Sequence, residues 1–226
     1  MKIALCISGM PRSFKLAYPY IKKTIIDPLN PDIFINTWKV FVEKSQMAEF
    51  CDLYKAFKFE FEDWDQDTLE DKFNYSYYKK YEFGHFQISK GMLPMYYKIF
   101  KANEMARKHS EENNFKYDLV IRCRADLSFG NEINGKDIYN AIYDKSNPLY
   151  LRLDKNEHHP EIDWWVCDHF AFGRPEVMNI YADTFNEFEE NILHAEHVVP
   201  ELLLKAQLER HNINYKPTNI VYDMIR

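Results

Sequence analysis

Apolar runs broken by short polar clusters give the first part of the chain a strand–helix–strand rhythm. Residues 2–8, KIALCIS, form a near-continuous apolar run, which predicts a buried strand. Gly9-Met10-Pro11-Arg12-Ser13 breaks the run as a tight loop. Amphipathic spacing from about Ser13 to Ile26 then predicts a helix, with Ser13 in the N-cap position. Two prolines in Asp27-Pro28-Leu29-Asn30-Pro31 end that helix. Asp32–Trp38 predicts a second strand that closes on polar Asn36 and Thr37. This order is a βαβ unit, which implies a parallel pair.

Further along, residues 41–57 predict a helix, and the alternation FKFEFEDW from Lys58 to Trp64 predicts an exposed strand. Residues 75–86 are tyrosine-rich and read as a loop. From Gln87 to His109 apolar residues at Met92, Tyr96, Ile99, Phe100 and Met105 follow helical spacing, with Pro94 near the first turn. Leu149–Leu153 and Trp164–Gly173 predict two more strands. Pro175 opens a helix to about Glu190, a last helix runs from Pro200 to about His211, and residues 212–222 return as an edge strand. With no internal repeat and no low-complexity linker, a single domain over residues 1–226 is the expectation.

The 226 residues carry 46% hydrophobic and 28% charged side chains, ordinary for a globular α/β protein. Lys+Arg 29 against Asp+Glu 35 gives a net charge of −6, which argues against non-specific nucleic-acid binding. The 16 Tyr and 17 Phe provide aromatic surface for stacking on sugars or bases. Cys6, Cys51, Cys123 and Cys167 are scattered without a CxxC, so neither a zinc knuckle nor a disulfide framework is indicated. Free thiols fit a reducing compartment. No stretch approaches the roughly 18 apolar residues of a membrane span, and MKIALCISGM is too short an apolar run for a signal peptide. The expectation is a cytoplasmic protein without a transmembrane segment.

The stretch Tyr117 to Gly130, YDLVIRCRADLSFG, carries the chemistry. Leu119, Val120, Ile121 and Cys123 read as a central strand, and its end presents Arg122, Arg124 and Asp126. Ligands of open α/β sheets sit at the carboxyl ends of strands, so a cation and a carboxylate stand where a substrate would lie. Arg12 holds the equivalent place after the first strand, before a helix N-terminus, which makes an anion site or an ordinary turn with a surface arginine. Neither GxxxxGK[ST] nor GxGxxG is present. Lys98 lies on a different helix face from Tyr96 and reads as a ligand contact or a surface lysine. Asp168 stands among Trp, Val, Phe and Ala, as a functional buried carboxylate or one tied to backbone N–H groups. His194 and His197, three apart, would share a helix face and could hold a metal or be ordinary polar histidines. The acidic stretch from Glu60 to Asp71 lacks regular ligand spacing and reads as a solvated strand end and loop.

The βαβ start and the strand closing in Arg-Ala-Asp resemble the nucleotide-sugar-dependent glycosyltransferases of the GT-A type, whose signature is Asp-x-Asp at the end of a mid-domain strand. The segments IALCISGMPRSF, DPLNPDIFINTW, MYYKIFKANE, YDLVIRCRADL, CDHFAFGRPEVMNIY and PELLLKAQL, spread from residue 3 to about 208, resemble a family of small glycosyltransferase-like proteins of polysaccharide gene clusters and large viruses. The resemblance implies a Rossmann-like, mixed but mostly parallel central sheet flanked by helices. It also implies a nucleotide-binding half of about 1–130 and an acceptor half of about 131–226. A nucleoside diphosphate-sugar would be the donor and a glycan or glycolipid hydroxyl the acceptor. Ser8, Gly9, Arg12, Asn36, Lys98, Arg122 and Arg124 would serve the donor. Asp126, with His197 as a further contact, would hold Mn²⁺ or Mg²⁺ on the diphosphate. The first Asp-x-Asp position is Arg124 here, so a guanidinium is the alternative counter-charge. Asp168 would be the general base of an inverting reaction, with Asp163 and Glu201 behind it. The other classes compatible with these residues are a nucleotidyl- or phosphotransferase and a non-catalytic carbohydrate-binding protein.

Overall fold

The computed structural model describes residues 1–39, 43–63, 73–82, 91–155 and 164–225. A seven-stranded sheet runs in the order β3-β2-β1-β4-β7-β6-β8. It comprises β1 (Ile3–Ser8), β2 (Asp32–Trp38), β3 (Lys58–Glu62), β4 (Leu119–Arg124), β6 (Leu149–Lys155), β7 (Trp164–Gly173) and β8 (Tyr215–Pro217). The pairs β3–β2, β2–β1, β1–β4 and β6–β8 are parallel. β7 alone runs against its neighbours, antiparallel to both β4 and β6. This is the mixed, mostly parallel sheet that the GT-A resemblance implies. Central β1 is buried at every position, as the continuous apolar run predicts for a strand covered on both faces.

Helices cover both faces. On one lie α1 (Phe14–Ile21), α2 (Lys44–Tyr54) and α4 (Gly135–Tyr143), packed around Ile3, Leu5, Ile7 and Ile121. On the other lie α3 (Leu93–Glu112), α5 (Pro175–Ala182), α6 (Phe188–Ala195) and α7 (Pro200–Arg210), packed around Ala4, Cys6, Phe34 and Val120. The alternation of strand side chains divides the core into these two layers.

Several element boundaries depart from the sequence expectation. The first helix starts at Phe14, changes to a π-helical turn at Lys22–Ile26 and ends at Asn30 in the left-handed conformation. Ser13 occupies the N-cap position without a side-chain capping bond. Residues 75–81 form short helical turns rather than a loop, with Tyr78 buried. The helix expected to reach Glu190 is two helices, α5 and α6. The C-terminal segment is also divided. β8 edges the main sheet, and β9 (Tyr222–Met224) pairs antiparallel with β5 (Leu127–Phe129).

Candidate active site

Parallel pairing places the ends of β1, β2 and β4 together. Ser8 is in register with Asn36 on one side and Arg124 on the other. Because β7 is antiparallel and Phe170 pairs with Cys123, the residues before Phe170, His169 and Asp168, run past Arg124 toward that same end. The interior position of Asp168 in its own strand is thus a carboxyl-end position of the sheet.

A cavity of about 360 Å³ opens there, lined by Arg12, Ser13, Arg124, Asp126, Met224 and Ile225. Gly9 turns the chain out of β1 at φ 108°, a conformation glycine adopts without strain. Its carbonyl accepts a hydrogen bond from the Thr37 hydroxyl. Arg124 donates through Nε to Asp126 Oδ1 and through a terminal nitrogen to Oδ2, both at 2.8 Å. Burial works against the Arg124 charge, but this bidentate bond outweighs it and raises the pKa above the ordinary value. The Asp126 carbonyl accepts from the Ile225 N–H at 2.8 Å, and β9 stands against β5, so the end of the chain walls the cavity. Met224 and Ile225 were not among the predicted site residues; the sequence marks them only as an apolar pair after Asp223.

Behind the cavity lies a buried polar cluster. Arg122 is 2% exposed and donates once, to the Ser8 carbonyl at 3.3 Å, while its Nε and other terminal nitrogen have no partner. Asp168 is also 2% exposed. Its Oδ1 lies 3.4 Å from His169 Nε2, and its Oδ2 is buried without a partner. Glu201, in the first turn of α7, likewise has a buried, unpartnered Oε2. Burial, and next the charge of Asp168, push its carboxyl up to about 8. Burial also lowers the His169 pKa, against the pull of Asp168. Tyr181 anchors the Asp168 backbone with a hydroxyl bond of 2.9 Å, and Tyr96 anchors the Pro200 carbonyl at 2.6 Å. Orphaned buried polar atoms are rare in native proteins and mark sites that water or a ligand completes. Here Ser8 Oγ and the Tyr222 hydroxyl add to the count.

The other predicted residues fall elsewhere. Asn36 is fully buried and donates to Glu60 at 3.2 Å, and it does not line the cavity. Lys98 is neither a surface lysine nor a lining residue: it is 0% exposed and bonded to Glu62. His197 shares no helix face with His194, because α6 ends at Ala195 and Glu196 turns left-handed. It is exposed and does not line the cavity with Asp126. Asp163 lies outside the described residues. Among the described residues no three His, Cys, Asp or Glu converge as metal ligands. Among the described residues Asp126 is the one carboxylate lining the cavity, and both its oxygens accept from Arg124. The donor set that the described residues supply does not fit a divalent cation.

No protein-family model matches the sequence, and no curated protein does either. Among solved structures, core-mannan synthase A from Aspergillus fumigatus, in its Mn/GDP form, matches with a TM-score of 0.57 at 14% identity, over 100% of this chain and 75% of that one. The likeness is one of fold, and that fold is the GT-A type. Among the described residues no helix is long and apolar enough to cross a membrane.

Proposed function

We propose that the protein is a glycosyltransferase that moves a sugar from a nucleoside diphosphate donor to a hydroxyl of a glycan or glycolipid acceptor. The observation that carries this reading is the convergence, at one end of the sheet, of an arginine-lined cavity and a buried acidic pair. The GT-A fold supports it, as do the segments that resemble the small glycosyltransferase-like proteins of polysaccharide clusters and large viruses. In this reading residues of about 1–130 form the nucleotide-binding half and about 131–226 the acceptor half, with Met224 and Ile225 reaching back to the donor cavity. The free, buried cysteines fit a cytoplasmic setting.

The chemistry follows from the groups present. Arg12 and Arg124 face the cavity, and guanidinium forks match the paired oxygens of a diphosphate. Charge that grows on the leaving nucleoside diphosphate is offset by them, with Arg122 buried behind. No step is assigned to Mn²⁺ or Mg²⁺, since Asp126 is already held by Arg124.

An inverting transfer needs a carboxylate to take the acceptor proton. Glu201 is a poor base at neutral pH, because burial and the charge of Asp168 keep it protonated. Asp168 is therefore the base, and its free Oδ2 is the accepting atom.

The test is incubation with a panel of nucleoside diphosphate-sugars, with NMR of the released sugar and nucleotide. Turnover should produce nucleoside diphosphate, and Asp168→Asn should reduce it by about 10²-fold or more while nucleotide binding persists. Release of monophosphate or pyrophosphate would favour a nucleotidyl- or phosphotransferase. Sugar binding without turnover, unchanged in Asp168→Asn, would favour a carbohydrate-binding protein. Failure of well-folded protein to bind any nucleotide would sink the donor site.

A further inference from the structure

We infer that Asp126 is an internal stand-in for phosphate: it occupies the Arg124 fork until the donor's diphosphate displaces it. This rests on the donor reading above and concerns what the Arg-Ala-Asp turn does in it. A carboxylate offers two oxygens in the plane and spacing that a phosphate presents to the same fork. Arg124 uses Nε and a terminal nitrogen on Asp126, both at 2.8 Å, so the carboxylate fills the Nε-side fork of the guanidinium.

The pair is asymmetric in a way that suits exchange. The Arg124 side chain is 18% exposed and the Asp126 side chain 6%, so the cation is the more reachable member. Both line the cavity, beside Arg12 and Ser13. Arg12 is exposed and forms no ion pair among the described residues. An incoming diphosphate meets Arg12 first and then competes with Asp126 for Arg124. Asp126 keeps the fork ordered, and keeps a paired charge there, while no donor is bound.

The arrangement disfavours a cation in the same place. Among the described residues, a divalent ion would have to strip Asp126 from Arg124 and then sit beside two guanidinium groups with one carboxylate for support. The stand-in role and the metal-ligand role make opposite predictions for removal of the Asp126 charge. A metal ligand, once removed, takes nucleotide affinity with it. A competitor, once removed, leaves Arg124 free for the diphosphate.

The experiment is calorimetric titration of GDP and of UDP into wild-type protein, Asp126→Asn, Arg124→Gln and Arg124→Lys, each in EDTA and in Mn²⁺. Thermal unfolding of every variant accompanies it. For whichever nucleotide binds, the expected wild-type affinity in EDTA lies within about twofold of that in Mn²⁺. Asp126→Asn should tighten binding by roughly threefold or more, and Arg124→Gln should weaken it by about tenfold or more. Arg124→Lys should fall between, because a point charge lacks the fork. Wild-type binding in Mn²⁺ but not in EDTA, or loss of affinity in folded Asp126→Asn, would overturn the stand-in role and leave the donor reading intact. If Asp126→Asn does not fold, the wild-type comparison in EDTA and Mn²⁺ decides alone. Absence of nucleotide binding in every arm would overturn both.

Discussion

Two of the cation–carboxylate pairs near the carboxyl ends of the parallel strands differ in how far solvent reaches the cation, at 0% exposure for Lys98 and 18% for Arg124. Lys98 and Glu62 join α3 to the end of β3, and Arg124 and Asp126 join the end of β4 to the turn after it. Lys98 is sealed. Its ammonium is bonded to Glu62 and lies 3.8 Å from the centre of the Trp38 ring, while Tyr97 donates to Glu62 at 3.0 Å. Burial pushes the Lys98 pKa down to about 8, partly offset by Glu62. Arg124 keeps part of its edge on a cavity, and its pairing raises its pKa instead. A compact ammonium under aromatic rings makes a structural fastening. A planar fork on a cavity wall makes a partner that a ligand can replace.

The largest effect should come from opening the sealed pair. Lys98→Ala leaves a hole beneath Trp38 and takes the partner from Glu62, and it should cost about 3–5 kcal/mol in denaturant unfolding. Lys98→Met keeps the volume, removes the buried charge and should be near neutral. Neither should change nucleotide affinity by more than about twofold once the protein is folded. If folded Lys98→Met no longer binds nucleotide, the contrast between the two pairs is broken and Lys98 returns as a donor contact.

Arg124→Gln should show the reverse pattern. Nucleotide affinity should fall by about 10- to 100-fold, roughly 1.4 kcal/mol per factor of ten, with a smaller loss of stability than in Lys98→Ala. Equal losses in both assays would show that Arg124 is structural as well.

Glu201→Gln sharpens the comparison through pH, at a buried carboxyl that has no cation partner among the described residues. The folded pKa of Glu201 is about 8 against an ordinary 4.5. The folded state therefore keeps a proton that the unfolded chain releases, and stability falls as pH rises from about 4.5 to 8. The glutamine variant lacks that fall. Its melting temperature should match the wild type near pH 4 and exceed it by a few degrees near pH 8. Parallel curves across that range would refute the buried, neutral Glu201. The smallest effect belongs to Ser13→Ala. Ser13 lines the cavity but makes no capping bond, so unfolding should change by less than about 0.5 kcal/mol, against about 1 for a working cap.

The strands were largely legible in the chain. Asp32–Trp38 and Trp164–Gly173 fall where apolar runs bounded by Pro31 and Gly173 predict them. Runs of that kind arise where both sheet faces are covered, so burial writes itself into local composition. The Arg-Ala-Asp turn was legible as a polar strand end for the same reason, since charges are conspicuous at the end of a buried run, and Arg124 and Asp126 do line the cavity there. Of the two readings open for Lys98, a ligand contact or a surface lysine, the second fails because the side chain is fully buried. Its burial depends on Glu62, 36 residues away, which no local pattern announces. The tyrosine-rich stretch at 75–81 was misread for a related reason, since Tyr78 is ordered by a bond to Glu189.

By itself the amino-acid sequence determined the βαβ start, most strands, the polar character of the strand ends and a resemblance to GT-A transferases. Only the tertiary structure decided that β7 runs antiparallel and carries Asp168 to the carboxyl ends of β1 and β4. It also decided that buried Glu201 lies within the field of that carboxylate, that Asp126 answers Arg124 rather than a histidine, and that Met224 and Ile225 wall the cavity. The physical reason is that periodicity records how deeply each residue is buried. Strand direction, register and charge partners are set by contacts between segments distant in the chain, where each side chain's neighbour is chosen by the fold and not by its position in sequence.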